Sequence, residues 1–415
     1  VYVQSARLLM NASSVISGTG TYAVYLYDSD GSQIVNSRIA NNGATGVYVN
    51  SSGDILLQGN TVAGHSTYGV HLDQNADRAT LSDNVISGNR SRGVYIYRYN
   101  DHVNLISNQI TGSSNSSGRG VHFGLNNTSG KLVGNTIANN NGDGVYFEGV
   151  NTSMSLENNL IVRNAGDGID WATGTGGGVL RHNTVSNNGG ASSAGLYVGS
   201  VTLTLVNNII ANQGYGIRTI NTAANVQADH TLWHGNTTDT DNTSGGTIAT
   251  TNNLYGDPAF KGGSDPFDAY HITATSVAID VAIDSGLAWD IDGTPRPYGL
   301  GFDVGADEFP GLGVAPAGLI LSGPDSGTIQ TQYTFTATIN SITSTVPITY
   351  IWQVVGSPPV VHVGNRTDTA SFTWYLPGPH VITVSASNAG GSITATHTIT
   401  IAAPPPVSLP YYDGF

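Results

Sequence analysis

The sequence predicts an all-β protein: a right-handed three-sheet parallel β-helix of about ten coils of ~24 residues, followed by a C-terminal β-sandwich. Three observations carry this. A Gly followed by apolar–polar–apolar recurs at Gly46, Gly69, Gly93, Gly120, Gly144, Gly168, Gly195 and Gly216, in steps of 23, 24, 27, 24, 24, 27 and 21 residues. A second column holds Asn60, Asn84, Asn108, Asn135, Asn159, Asn183 and Asn208, with Leu57, Leu81, Leu105, Leu132, Leu156, Leu180 and Leu205 three residues before them. Beyond residue 320, short strictly alternating stretches separated by turn residues replace the repeat.

Each element follows from the spacing. Period-2 alternation turns Val47, Val70, Val94, Val121 and Val145 inward, together with Val49, Leu72, Ile96, Phe123 and Phe147. Coils stacked at about 4.8 Å set like residue over like, so these positions form apolar ladders. Asn repeated at one bend can bond its neighbours above and below and satisfy backbone groups at a buried corner. The apolar spacing is two, not three and four, which excludes helices. Ala23-Val-Tyr-Leu extends the Gly column one coil earlier, so the chain is expected to start in mid-coil with an uncapped end.

Composition removes several functions. Charged residues make up 10% and hydrophobic ones 39%, which excludes disorder and long helices. The net charge of −14, from 28 acids and 14 bases, argues against a nucleic-acid partner. No apolar run reaches the roughly 18 residues of a membrane span. With no cysteine, disulfides, thiolate metal sites and Cys nucleophiles are excluded.

The domains are expected at 1–249 (β-helix), 250–310 (acidic C-terminal cap), 311–319 (linker), 320–402 (sandwich) and 403–415 (Pro-rich, aromatic tail). Ten acids against Lys261 and Arg296 set the cap apart. Its Asp257-Pro-Ala-Phe, Ala278-Ile-Asp, Asp290-Ile-Asp-Gly-Thr-Pro-Arg-Pro and Asp303-Val-Gly-Ala-Asp-Glu motifs resemble the choice-of-anchor Q type cap of bacterial surface β-helix proteins. That resemblance implies a surface architecture and no reaction. Residues 320–402, with the Pro377-Gly-Pro turn, Trp352 as core aromatic and Ser387-Asn-Ala-Gly-Gly-Ser, resemble the PKD type of immunoglobulin-like domain.

Two columns carry candidate chemistry. The outward residue of each first strand reads Tyr25, Tyr48, His71, Tyr95, His122, Tyr146, Asp170, Tyr197 and Arg218, widened by Tyr27, Asp73, Tyr97 and Glu148. Such a stripe suits sugar rings or a protein surface, or is simply a stacked solvated face. Before each Gly, four successive coils place Arg92, Arg119, Asp143 and Asp167 in file. Arg119 over Asp143 would pair, whereas Asp143 over Asp167 would repel, raising a pKa or recruiting Ca2+. Asp143, Asp167 and Asp170 are candidate acid/base residues of a hydrolase and Arg119 the base of a lyase; the competing reading is ordinary turn residues. Asp290 and Asp292 open like a calcium loop, but position 301 is Gly where a ligand Glu would stand. No cofactor is required; Ca2+ is the one considered.

The expectation is an extracellular or cell-surface prokaryotic structural protein. It would assemble head-to-tail into filaments or a sheath through its bare first coil and its C-terminal region. A polysaccharide lyase or glycoside hydrolase acting on an acidic polysaccharide, and a non-catalytic glycan-binding adhesin, are the alternatives.

Overall fold

The computed structural model describes residues 1–403 apart from 13, 14, 19, 312, 313 and 389, so the tail at 404–415 lies outside the described residues. The chain divides into two compact units, Val1–Phe309 and a second starting at Pro310.

The first unit is a parallel solenoid. One coil contributes Tyr68–Gln74, Thr80–Ser82 and Val85–Ser87, which pair in parallel with Arg92–Arg98, Asn104–Ile106 and Gln109–Thr111 of the next. Register is kept from coil to coil: Val70, Val94, Val121, Val145 and Ile169 succeed one another in a single file. The third strand column is an eleven-stranded sheet, while the other two join in one 21-stranded sheet. The joining departs from three separate sheets and has a local cause. Ile169–Arg181 and Ala194–Val206 each run through the corner as one 13-residue strand. In the first of them the corner reads Thr-Gly-Thr-Gly-Gly-Gly, and a Cβ on Gly174 would lie 1.8 Å from the Gly149 carbonyl. Gly at that position lets the backbone approach its neighbour so closely.

The inward residues are buried, and Phe123, Phe147 and Trp171 stack at 5.1 and 3.9 Å between centroids. Gly144 shows why the Gly column exists. A Cβ there would meet the Gly168 carbonyl at 2.7 Å and Ile161 Cγ2 at 2.6 Å. The Asn column is a continuous hydrogen-bonded ladder. Asn159 Nδ2 donates to Asn183 Oδ1 at 2.9 Å and to the Leu132 carbonyl at 2.8 Å. Its Oδ1 accepts from Asn135 N and Nδ2, both at 3.0 Å. Two further ladders escaped the sequence reading: Asn140–Asn164–Asn188 at 2.9 Å per step, and Asn100–Asn127–Asn151 at 3.1 and 3.2 Å.

The acidic segment, expected as a cap over the last coil, makes its contacts along the flank of the third sheet. Ala269, Tyr270 and Ala306 pack on Ala138, Leu160 and Val162, whereas Ile272, Ala278 and Val304 pack on Ile209, Ala211 and Leu232. The outer face dictates this placement. Earlier third strands read Thr61-Val-Ala and Gln109-Ile-Thr, but later ones read Leu160-Ile-Val and Ile209-Ile-Ala, apolar on both faces and in need of cover. The strap is irregular and held by buried charge. Arg296 donates to Glu308 Oε2 at 2.5 Å, to the Asp303 and Gly305 carbonyls at 3.1 and 2.7 Å, and to Asn158 Oδ1 at 3.3 Å.

The second unit packs a three-stranded sheet (Leu319–Ser322, Gln332–Ile339, Thr367–Thr373) on a five-stranded one (Ser326–Thr328, Ile348–Val354, Val360–Gly364, Gly378–Asn388, Gly391–Ala402). Trp352 is fully buried, with Nε1 donating to Asp368 at 2.7 Å. Part of the expected linker belongs to this unit: Val314 N donates to Thr345 Oγ1 at 2.8 Å, and Ala317 N donates to Ser344 Oγ at 3.2 Å.

Candidate functional site: an outward ladder beside three aspartates

Parallel register places the outward residues over one another, from Tyr25 through Tyr48, His71, Tyr95, His122, Tyr146, Asp170 and Tyr197 to Arg218. Ring centroids from Tyr25 to Tyr146 are 4.9, 4.9, 4.8, 4.7 and 4.8 Å apart, the spacing of the strands themselves. Tyr68 in the neighbouring file adds a ring 5.3 Å from Tyr95, and the Arg92 guanidinium lies 4.4 Å from the Tyr95 centroid.

Not every ladder residue is open. Tyr48 donates to Asp73, which also accepts from Asn50 Nδ2 at 3.0 Å; burial and this bond push the phenol up. His122 was expected to face solvent but is only 1% exposed. Its Nδ1 lies 2.6 Å from Arg92 Nε and its Nε2 lies 3.0 Å from Glu148 Oε2. A guanidinium can only donate, so Nδ1 accepts and Nε2–H donates to Glu148. The ring is neutral, because burial and the cations Arg92 and Arg119 push it down to about 2. His122 therefore positions Arg92 and Glu148 instead of meeting a ligand. His71 is likewise pushed down, to about 4, by burial.

Beside the end of the aromatic run stand the aspartates. Arg119 Nε bonds Asp143 Oδ2 at 3.0 Å, and its guanidinium lies 3.6 Å from the Tyr146 centroid. Asp143 Oδ1 accepts the Asp167 N–H at 3.1 Å, Asp167 Oδ1 accepts the Ala194 N–H at 2.5 Å, and Asp170 Oδ1 accepts the Ala172 N–H at 2.8 Å. One carboxylate oxygen from each of Asp143, Asp167 and Asp170 lies within 4.8 Å of the others. Asp170 is pushed up to about 7 and Asp167 to about 6. Burial is the largest cause for both, ahead of the like charges that the sequence pointed to. With its Nε on Asp143 and its face on Tyr146, Arg119 is engaged as a cation.

The remaining candidates lie elsewhere. Arg218 pairs with Asp241 at 3.2 Å. Asp290 Oδ1 accepts from Asp292 N and Thr294 N at 2.8 and 2.7 Å, and its Oδ2 accepts from Glu308 N at 2.9 Å, so it closes a turn. Asp292 points away from Asp290 to His271 Nε2, at 2.6 Å. His271 takes its partners from 21 and 36 residues later, so no local spacing announces the group.

Residues 1–119 and 75–200 match the family described as right handed beta helix region, and residues 318–401 match the PKD domain. The first unit is thus a right-handed parallel β-helix. The second is a PKD domain, similar to the PKD domain of an M14-like peptidase from Thermoplasmatales archaeon SCGC AB-540-F20 (20% identity, 22% of this chain, 99% of that one, TM-score 0.20). The chain is also similar to the periplasmic alginate epimerase AlgG (13% identity, 62% of this chain, 74% of that one, TM-score 0.39). It shares 9% identity with the enzymatically active domain of bacteriophage CBA120 tailspike protein 2 (95% of this chain, 71% of that one, TM-score 0.30). No curated protein sequence matches the chain. No helix among the described residues is long and apolar enough to cross a membrane.

Proposed function

We propose that the β-helix binds a polysaccharide along its outward Tyr/His ladder and hydrolyses it at Asp143, Asp167 and Asp170, at an extracellular or cell-surface location. The observation that carries this reading is the close grouping of three carboxylates beside an aromatic ladder, two of them held toward protonation near neutral pH. The partly exposed Tyr rings offer apolar contact to sugar rings, and Arg92 and Glu148 offer hydrogen bonds to hydroxyls. We prefer it to end-to-end filament assembly, because the three carboxylates group on the side of the rod beside the aromatic ladder and not at an end.

Asp170, with the higher pKa, is the general acid: it gives its proton to the glycosidic oxygen as the C–O bond breaks. Asp167 is the carboxylate that attacks the anomeric carbon, and water later displaces it with Asp170 acting as base. An inverting enzyme needs roughly 6.5–9.5 Å between its carboxyls to seat a water, so this tighter pair supports retention of configuration. Asp143, clamped by Arg119, orients the backbone of Asp167.

The test is release of reducing ends from a panel of neutral and acidic polysaccharides. The expected result is hydrolysis that Asp170→Asn and Asp167→Asn each reduce at least about 100-fold, the scale of acid–base catalysis. The pH profile should be a bell: activity falls below about 6 as Asp167 gains a proton and above about 7 as Asp170 loses one. Binding without release by the wild type across the panel would discard hydrolysis in favour of an adhesin.

A further inference from the structure

The flanking strap brings together three donors that the ladder and its acids do not use. His271 follows the short helix Pro266–Ala269, while Asp292 and Asp307 come from two later turns. His271 Nδ1 lies 3.0 Å from the Asp268 carbonyl, which can only accept, so Nδ1 carries the hydrogen. The ring stands edge-on against Phe267, with centroids 5.2 Å apart and planes at 81°. Its orientation is thereby fixed, and Nε2 is turned toward two carboxylates: Asp292 Oδ2 at 2.6 Å and Asp307 Oδ1 at 3.9 Å. Asp307 is held just as firmly, for its Oδ2 accepts the Ile272 N–H at 2.7 Å and its side chain is only 6% exposed.

With the hydrogen on Nδ1, Nε2 is the free ring donor and faces both carboxyl groups. Nε2 and the two carboxyl groups thus converge on one point from three turns. We infer that His271, Asp292 and Asp307 form a binding site for a first-row divalent cation of the Zn2+ type. One donor atom from each lies within 4.8 Å of the others. An imidazole whose far nitrogen is tied to a backbone carbonyl is the usual outer arrangement of a metal-binding histidine. One nitrogen and two carboxylates suit Zn2+, whereas Ca2+ takes six to eight oxygens. Asp292, at 32% exposed, leaves an entry path and room for a water as fourth ligand. A bound ion would clip three separate turns of the strap together and so couple metal binding to stability.

The experiment uses the full chain, freed of metal by a chelator and titrated with ZnCl2 in equilibrium dialysis, with thermal unfolding measured alongside. The wild type should bind one equivalent more than His271→Ala and than Asp292→Asn, and Zn2+ should raise its Tm but not theirs. Asp292→Asn changes an accessible side chain, so its fold can be checked by its metal-free Tm. Equal Zn2+ stoichiometry in wild type and both variants would overturn the site, as would a Ca2+ equivalent lost in their place.

Discussion

The solenoid and its strap solve one problem, burying backbone and charge on a narrow rod, by opposite means. In the solenoid the buried asparagines of each ladder meet copies of themselves: Asn159 stands between Asn135 and Asn183 and bonds both. In the strap each buried polar group meets something unique, as Arg296 meets Glu308, Asn158 and two carbonyls. Repetition spreads the cost of one lost contact over a ladder, while the strap concentrates it on single residues. It follows that the strap should be the more fragile region to point mutation, although it is far shorter.

The sharpest way to break this contrast is Arg296→Met. Both side chains of the Arg296–Glu308 pair are fully buried. Removing one partner strands the other, at a cost of about 3–5 kcal/mol. Chemical denaturation should show that loss, and protection of the strap's amides from hydrogen exchange should fall before that of the coils. A loss below about 1 kcal/mol would mean that the strap contributes little. Next in size is Asn159→Ala, which removes the bonds this side chain makes to the Leu132 carbonyl and the Asn135 N–H inside the rod. The expected cost is about 2–3 kcal/mol, from losing these buried hydrogen bonds. A larger loss here than at Arg296 would reverse the comparison.

The same contrast explains what could be read from the residues. Coils are legible because stacking forces like over like, so the structure's period is also the sequence's: the Gly, Leu and Asn columns, the inward Val and Phe, and the outward Tyr/His file all appear at one spacing. The aspartates beside the ladder were visible for that reason, as was the Arg119–Asp143 pair. The burial that lifts Asp170 was not, because it depends on what surrounds the carboxyl rather than on its column. Nor was the closed state of His122, which required Arg92 and Glu148 to converge from different coils. In the strap no period exists. Its motifs resemble a cap module, but its position follows the apolar outer faces at Leu160, Val162, Ile209 and Leu232, a signal written in the coils.

A gentler probe is pH. Asp303 is fully buried and pushed up to about 7, mostly by that burial. Its folded pKa thus exceeds the unfolded one, so its neutral form favours folding. Stability drawn from this group is complete below about pH 4 and declines as pH rises toward 7. Asp303→Asn should flatten that decline. Subtracting its unfolding free energy from that of the wild type at pH 4 to 8 isolates the effect, and identical pH slopes in the two proteins would show that Asp303 is ionised throughout.

The smallest effect is expected on the surface of the solenoid, where repetition gives no ladder to lose. Arg78 and Asp54 meet at 2.7 Å through both guanidinium nitrogens facing Asp54, yet their side chains are 59% and 54% exposed. Water and salt compete for both charges, so Arg78→Ala should cost far less than Arg296→Met, and less still as ionic strength rises. The pair has the same charge types as Arg296–Glu308 and a similar separation, and differs in its access to water. If the two substitutions cost the same in denaturant titrations, geometry rather than burial would set the worth of an ion pair here, and the proposed fragility of the strap would lose its cause.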